Sequence, residues 1–300
     1  MKQDYNRDPI KTIHSKNKDI SIFSIEGKNI DTAVVETFGE EWLKFKDYSD
    51  GEIKKVAKLY FDILNDDIIN KNTYALDIGC GTGRWTKYIS EKVGFVEAID
   101  PSDAVIAANQ LLANVDNVRI TKAAVDTIPF DDETFDFAMS IGVLHHIPNT
   151  LQAMTDCVRK VKKGGYFYCY LYYNLDNRNA FFKSIFWLSN IIRLGVSRMP
   201  SKLKKATCDV LAVLLYMPFV LTSRFLSFIG LKKLAKEIPL ADYADMTFFI
   251  IRNDSLDRFG TTLEQRFSKK EVVELMEKSG LKNIVVSPHT PYYHAVGQKL

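Results

Sequence analysis

The sequence has little of what marks secreted, metal-bound or membrane-spanning chains. Its four cysteines, Cys80, Cys157, Cys169 and Cys208, are scattered over 300 residues without a Cys-x-x-Cys spacing or a histidine at ligand intervals. That pattern argues against both a zinc site and a disulfide framework, and fits reduced thiols in a cytoplasm. The opening residues, MKQDYNRDPIKTIHSKNKD, contain no apolar stretch of the signal-peptide kind, so nothing marks the chain for secretion. The longest run free of charge and histidine, Val210 to Ser223, has 14 residues and contains Pro218. It falls short of the roughly 20 residues that a helix needs to cross a bilayer. Internal repeats and low-complexity tracts are missing as well.

What is present is ordinary for a globular chain: 46% apolar and 26% charged residues, with a net charge of +3. The charge is unevenly spread. From Asp176 to Lys236 eleven Lys or Arg face two acids, a surplus of +9, so the rest of the chain is acidic. Such asymmetry suggests that the segment meets something anionic.

Residues 1–36 are polar and weakly patterned, an arm with short extended pieces. Apolar positions 53, 56, 57, 60, 61 and 64 recur at helical spacing. After them strands and helices alternate. Strands are expected at 74–79, 95–100, 118–123, 135–142 and 166–173, and helices at 84–92, 102–112 and 149–162. This rhythm predicts an α/β fold built on an open, doubly wound, mostly parallel sheet. From about Leu175 to Ile251 it breaks into an aromatic, basic segment with helical stretches at 181–194 and 209–228. A helix at 268–279 and an antiparallel hairpin, 282–287 and 293–299, close the chain. The expected organisation is an N-terminal arm and helical cap (1–70), a core (71–174 and 252–300) and a helical insertion (175–251).

The stretch LDIGCGTGRW, Leu76 to Trp85, places Gly79, Gly81 and Gly83 between a strand and a helix, at the carboxyl edge where such sheets bind ligands. Removing side chains there lets a small molecule lie against the peptide planes and their N–H groups. A dinucleotide fingerprint would need its third glycine at position 84, which is Arg84, so a pyrophosphate ligand is disfavoured. Asp77 would repel phosphate but suits an ammonium group. Asp100, at the end of the second strand, stands where an acid accepts ribose hydroxyls. The expected ligand carries a ribose and a cationic end.

Asp77-x-Gly79-x-Gly81-x-Gly83 with Asp100 resembles the cofactor motif of the class I, seven-stranded, Rossmann-like S-adenosylmethionine-dependent methyltransferases. IPFDDETFDFAMSIGVLHHIP (128–148) is similar to the third and fourth strand motifs of that family, and KKGGYFYCY to its entry into strand five. The resemblance implies seven strands with an antiparallel last one, a helical insertion after strand five, and S-adenosylmethionine as cofactor. It implies a cofactor set of Asp77, Gly79, Cys80, Gly81, Gly83, Asp100, Pro101, Val125, Asp126 and Ser140. Asp77 would orient the loop or the amino group, and Asp100 would take the ribose. One departure concerns adenine: Ala123-Ala124-Val125 stands where the family often has Gly-Asp-Ala, which leaves that contact absent or supplied by Asp126. FGEEWLKF (38–45), LDRFGTTLEQRFS (256–268) and PYYHAVG (291–297) look like segments of a bacterial subgroup often associated with polysaccharide or secondary-metabolite pathways.

Methyl transfer from a sulfonium has a good leaving group, so alignment supplies much of the acceleration, and an alcohol acceptor adds the need for a base. His145 and His146, just after the fourth strand, are the candidate bases. Tyr172, Tyr173, Arg258, Arg266, Tyr292, Tyr293 and His294 are candidate acceptor-binding residues; Asp257 and Glu264 are placed with the two arginines in a loop before the last helix. Phe38 and Trp42 are candidates for a lid. The insertion has three readings that need not exclude one another: a lid over the acceptor, a surface resting on a membrane, and a dimer contact. O-methylation of a sugar or hydroxylated metabolite, free or carrier-linked, is the favoured function. N- or C-methylation, RNA methylation and a non-catalytic cofactor-binding role are the alternatives. No metal is expected.

Overall fold

A computed structural model describes residues 2–44 and 49–300. Phe45, at the end of the FGEEWLKF stretch, and the side chain of Phe181 lie outside the described residues. The chain forms two compact units, Met1–Asp176 with Leu263–Leu300, and Asn177–Thr262.

The first unit is built on β1 (Lys11–Ile13), β2 (Ile20–Ile22), β3 (Tyr74–Ile78), β4 (Phe95–Asp100), β5 (Val118–Lys122), β6 (Phe135–Ile141), β7 (Val161–Tyr170), β8 (Leu281–Val286) and β9 (His294–Lys299). They form one sheet in the order β1-β2-β5-β4-β3-β6-β7-β9-β8. The expectation of seven strands therefore needs correcting to nine among the described residues. The seven run together from β5 to β8, with β9 antiparallel to both neighbours, and the polar arm adds two more. β2 pairs parallel to β5, and β1 pairs antiparallel to β2.

The arm is held despite its polarity. Ile20 and Phe23 are buried, Tyr5 shares a 2.8 Å hydrogen bond with the Thr121 hydroxyl, and the Arg119 guanidinium donates to the Gln3 carbonyl at 2.6 Å. Arg119 also pairs with both oxygens of Glu97 at 2.7 Å, so this half-buried cation meets three acceptors. The arm thereby covers what would be an open sheet edge at β5.

β3 lies at the centre between β4 and β6, with all five residues buried. Alternate side chains feed two cores. Leu76 and Ile78 pack with Phe135, Met154 and Phe167 on one face; Ala75 packs with Trp85, Ile89, Phe137 and Tyr168 on the other. Gly164 and Gly165 lie inside β7, where the pairing with β6 shifts register, rather than ending a helix ahead of it.

The second unit contains the helices Ala180–Val196, Ser201–Leu211, Met217–Phe228, Lys232–Lys236 and Phe248–Gly260. Phe248–Gly260 is fixed to Ser201–Leu211 by two Arg252–Asp209 hydrogen bonds, at 2.9 and 2.6 Å, and by the Ser255 hydroxyl on the Cys208 carbonyl at 2.7 Å. This helix belongs to the insertion for that reason, so the insertion extends beyond position 251. Ala212–Tyr216 is a π-helical turn that joins Ser201–Leu211 to Met217–Phe228, giving a continuous helix of 28 residues. The wider turn just ahead of Pro218 accommodates a ring that would clash with an ordinary helical carbonyl. The 14-residue limit read from charge spacing is thus overturned: Ser201–Phe228 is long and apolar enough, by length and composition, to cross a membrane.

His294 opens β9 fully buried, with Nδ1 at 2.7 Å from the Pro291 carbonyl and Nε2 at 2.5 Å from Asp62 Oδ1. Asp62 follows the helix Asp50–Tyr60, and its other oxygen accepts from the Ser287 hydroxyl at 2.8 Å. Burial works against the Asp62 carboxylate, but the hydrogen bonds from His294 and Ser287 outweigh it and hold the group below its ordinary value. A carboxyl depressed in the folded state contributes stability above its unfolded value and loses it as pH falls through the folded one. Asp62→Ala is therefore expected to cost about 1–3 kcal/mol at neutral pH in urea unfolding, the range for leaving a buried polar group unsatisfied. The deficit should shrink below about pH 4, where the wild-type carboxyl takes up its own proton.

Candidate active site

The turn after β3 holds its shape through its own backbone. Gly79 N–H and Cys80 N–H both donate to the Ile99 carbonyl, at 2.8 and 2.9 Å, and Gly83 N–H donates to Cys80 at 2.9 Å. Gly81 N–H donates to Asp100 Oδ2 at 3.0 Å. All three glycines have positive φ, where a side chain is strained. A Cβ on Gly79 would stand 2.4 Å from Val143, and one on Gly83 would stand 2.7 Å from Leu112. These two glycines make room for the protein's own packing. A Cβ on Gly81 would meet nothing nearer than the Trp42 indole at 3.5 Å, so Gly81 is the glycine with a bare face. The loop thus offers a ligand surface at Gly81, while the N–H groups of 79, 80, 81 and 83 already serve to hold the turn. Cys80 is buried in the core beneath, where burial pushes its thiol well up.

Two carboxylates flank this loop. Asp100, buried at the end of β4, joins it to the next turn: Oδ2 takes Gly81 N–H, and Oδ1 takes the Ser102 N–H at 2.8 Å and hydroxyl at 2.6 Å. Burial raises this carboxyl, and the donors from Ser102 and Gly81 oppose that. Pro101 is half-buried between them. Asp77 is 1% exposed and accepts one hydrogen bond among the described residues, 2.6 Å from the Thr86 hydroxyl on the helix Arg84–Ser90. Burial pushes it up to about 7, with Thr86 working against the shift and Asp100 adding to it. Thr86 was not legible as a site residue, although a polar group one turn into the helix after the loop is the natural partner for Asp77.

The rim comes from several elements. Val125–Thr127 is a 3-10 turn in which Asp126 Oδ2 accepts from Asn29 N–H at 3.3 Å and occupies the space that a Cβ on Gly27 would need. Asp126 Oδ1 is buried with no hydrogen-bond partner among the described residues. Ser140 is fully buried and donates to the Ile78 carbonyl at 3.0 Å, tying β6 to β3 instead of presenting a hydroxyl to a ligand. The helix Thr32–Lys44 lies across this edge: Gly39 packs on Ser102 and Asp103, Trp42 stands by Gly81, Arg84 lies 5.4 Å over the Trp42 ring, and Phe38 meets the His146 ring at 4.8 Å.

The candidate acceptor residues divide. His145 is fully buried, 3.9 Å from the Tyr172 ring and 4.1 Å from His146, and both of its nitrogens lack a hydrogen-bond partner among the described residues. Burial, then His146 and Arg266, hold its pKa well below the ordinary value, so it is a neutral packing group. His146 has Nδ1 2.7 Å from the Leu263 carbonyl, a partner that sequence reasoning could not supply because it is backbone. Arg266 donates to Glu264 at 2.7 Å and to the Tyr173 carbonyl at 3.1 Å, and lies 5.1 Å over the Tyr172 ring. Tyr173 packs against Tyr292 and Tyr293, and Tyr293 donates its hydroxyl to Asp176 at 2.6 Å. His294 is not with them, being fully buried at the Asp62 pair. Nor do Asp257 and Arg258 share a loop with Glu264 and Arg266. They lie on the helix Phe248–Gly260 of the second unit, where Arg258 donates to Ser189 at 2.9 Å and covers the Phe186 ring at 4.3 Å.

Residues 76–169 match a family described as a methyltransferase domain. Demethylmenaquinone methyltransferase of Staphylococcus aureus (strain JH9) is 34% identical over 112 residues, covering 36% of this chain and 46% of that protein. The chain spans less than half the length of the curated relatives it matches. Among solved structures, an S-adenosylmethionine-dependent methyltransferase from Aquifex aeolicus is 16% identical with a TM-score of 0.44, over 84% of this chain and 97% of that one. The YcgJ protein of Bacillus subtilis is 22% identical with a TM-score of 0.38, over 48% and 59%.

The Asp77 carboxyl gives a pH test. Its folded value of about 7 lies above the ordinary 3.8, so its contribution is complete below the latter and is lost as pH rises through the former. At pH 8 the unliganded protein carries a penalty of up to roughly 4 kcal/mol from this group. Asp77→Asn should unfold at higher urea than wild type at pH 8 and match it near pH 4; parallel pH profiles for the two proteins would disprove the assignment.

Proposed function

We propose that this chain is an S-adenosylmethionine-dependent methyltransferase that acts on a hydroxyl of a sugar or small hydroxylated metabolite, free or carrier-linked. The observation that carries the oxygen reading is the 2.7 Å contact of His146 Nδ1 with the Leu263 carbonyl. Because Nδ1 faces a carbonyl, it holds the proton, and Nε2 is left as the nitrogen with a lone pair. A ring fixed in this way is suited to take a hydroxyl proton.

The residues present fit the cofactor. The bare face of Gly81 admits a flat ligand, the unpartnered Asp126 Oδ1 suits an amino group such as that of adenine, and Asp77 is a buried acid that a cation would favour in its charged form. When bound, S-adenosylmethionine supplies an electrophilic methyl group for in-line transfer. Asp100 would take the ribose through the lone pair that Gly81 and Ser102 leave on its carboxylate. Trp42 and Phe38, on the helix Thr32–Lys44, would exclude water from the carboxyl edge. Arg266, steadied by Glu264, would orient a polar acceptor beside Tyr172, and His146 Nε2 would accept its proton as the new bond forms.

Two measurements separate cofactor binding from chemistry. Asp100→Ala should weaken S-adenosylmethionine binding at least about tenfold in titration calorimetry, the equivalent of one charged hydrogen bond. His146→Gln should bind the cofactor normally yet form S-adenosylhomocysteine at least roughly 100-fold more slowly with hydroxylated acceptors. His145→Phe, which keeps the stack on Tyr172, should retain turnover. Equal losses in the two histidine variants would show that the pair is structural.

A further inference from the structure

The unit Asn177–Thr262 exposes apolar side chains in a pattern that its own packing does not explain. Along Ser201–Phe228, the exposed residues Leu203, Val210, Leu214, Leu221, Phe225 and Phe228 are spaced by seven, four, seven, four and three positions. That is the spacing of a single helical face. Phe228 is 88% exposed, and Leu214 and Phe225 are each more than 60% exposed. Trp187, Ile191 and Leu194 repeat the pattern on Ala180–Val196. A soluble protein seldom leaves so long an apolar stripe in water.

The charge of the unit indicates what covers it. It carries thirteen Lys and Arg against six Asp and Glu, a net +7. Exposed cations accompany the stripe: Lys202 beside Leu203, then Lys232, Lys233 and Lys236 around Leu231 and Leu234. A second copy would set these like charges against one another, whereas an anionic bilayer complements both the charge and the apolar face. Although long and apolar enough to span the hydrocarbon, the same helix is tied behind to charged groups. Its opposite face, with Cys208, Ala212, Tyr216 and Val220 buried, is held by the Arg252–Asp209 pair and by the Tyr216 hydroxyl on Asp254 at 2.7 Å. Spanning would carry those charges into lipid, while lying flat leaves them on the water side.

We propose that the unit Asn177–Thr262 docks on the surface of an anionic phospholipid bilayer, inserting the stripe Leu203–Phe228 at the level of the headgroups. This holds independently of the methyl acceptor, so its test does not use turnover. The full chain is floated with vesicles of phosphatidylcholine, with and without phosphatidylglycerol. Flotation is expected with the anionic vesicles and should fall as salt is raised. The triple substitution Leu214→Ser, Leu221→Ser, Phe225→Ser should abolish it while the helical circular dichroism signal and the thermal unfolding profile of the full chain stay unchanged, which shows that the variant is folded. Lys232→Gln, Lys233→Gln and Lys236→Gln should weaken partitioning by roughly fivefold for each lysine replaced. Absence of flotation from anionic vesicles, or flotation that survives the triple substitution, overturns the proposal. So does a concentration-dependent dimer that the triple substitution dissolves without any lipid binding.

Discussion

The carboxylate of Asp100 is the joint on which the candidate site depends. It ends β4, yet one oxygen holds the N–H of Gly81 in the turn after β3 and the other holds Ser102 in the turn after β4. Two neighbouring strand ends are thereby locked into one edge before any ligand arrives. A charged acceptor with fixed donors keeps its geometry at little further entropic cost, which is the preorganisation that ligand sites need. The positive φ at Gly81, the position of Trp42 beside it and the packing of Gly39 on Ser102 lie around that anchorage.

The central strands were legible because each is a short apolar run between turn signals, and β3 to β6 fall within a residue or so of expectation. The glycine turn was legible as a turn, but not in its reasons. Gly79 and Gly83 answer to Val143 and Leu112, residues far along the chain whose approach no local pattern announces. β1 and β2 escaped as sheet members since three-residue strands have too few positions for alternation to register, and their pairing rests on tertiary contacts such as Arg119 with Gln3. Pro218 concealed the long helix because a π turn, which sequence does not signal, accommodates the ring.

The histidines illustrate a different limit. HHIP placed two imidazoles after β6, and nothing in the dipeptide distinguishes them. Both rings are buried, and the distinction arises from a carbonyl supplied by Leu263, more than a hundred residues later: one ring stacks on Tyr172, the other is oriented through Nδ1. A composition that is shared between neighbours can thus carry two different physical roles, decided by which nitrogen finds an acceptor.

The same reasoning ranks the three buried carboxylates of the sheet. Glu97 is met by both arms of Arg119 and by the Tyr74 hydroxyl at 2.6 Å, so its charge is answered by the protein and it serves to hold the arm. Asp100 is met by three donors and serves to hold the loops. Asp77 has the Thr86 hydroxyl and no cation among the described residues, and burial pushes its carboxyl up to about 7. An acid left so poorly answered costs the unliganded fold stability at neutral pH, and a fold seldom keeps such a cost without use. The missing partner is a positive group, and the cofactor proposed for this site carries two, an ammonium and a sulfonium. The shortfall in charge around Asp77 therefore points to the same ligand as the bare face of Gly81, by a route that does not depend on the glycine motif.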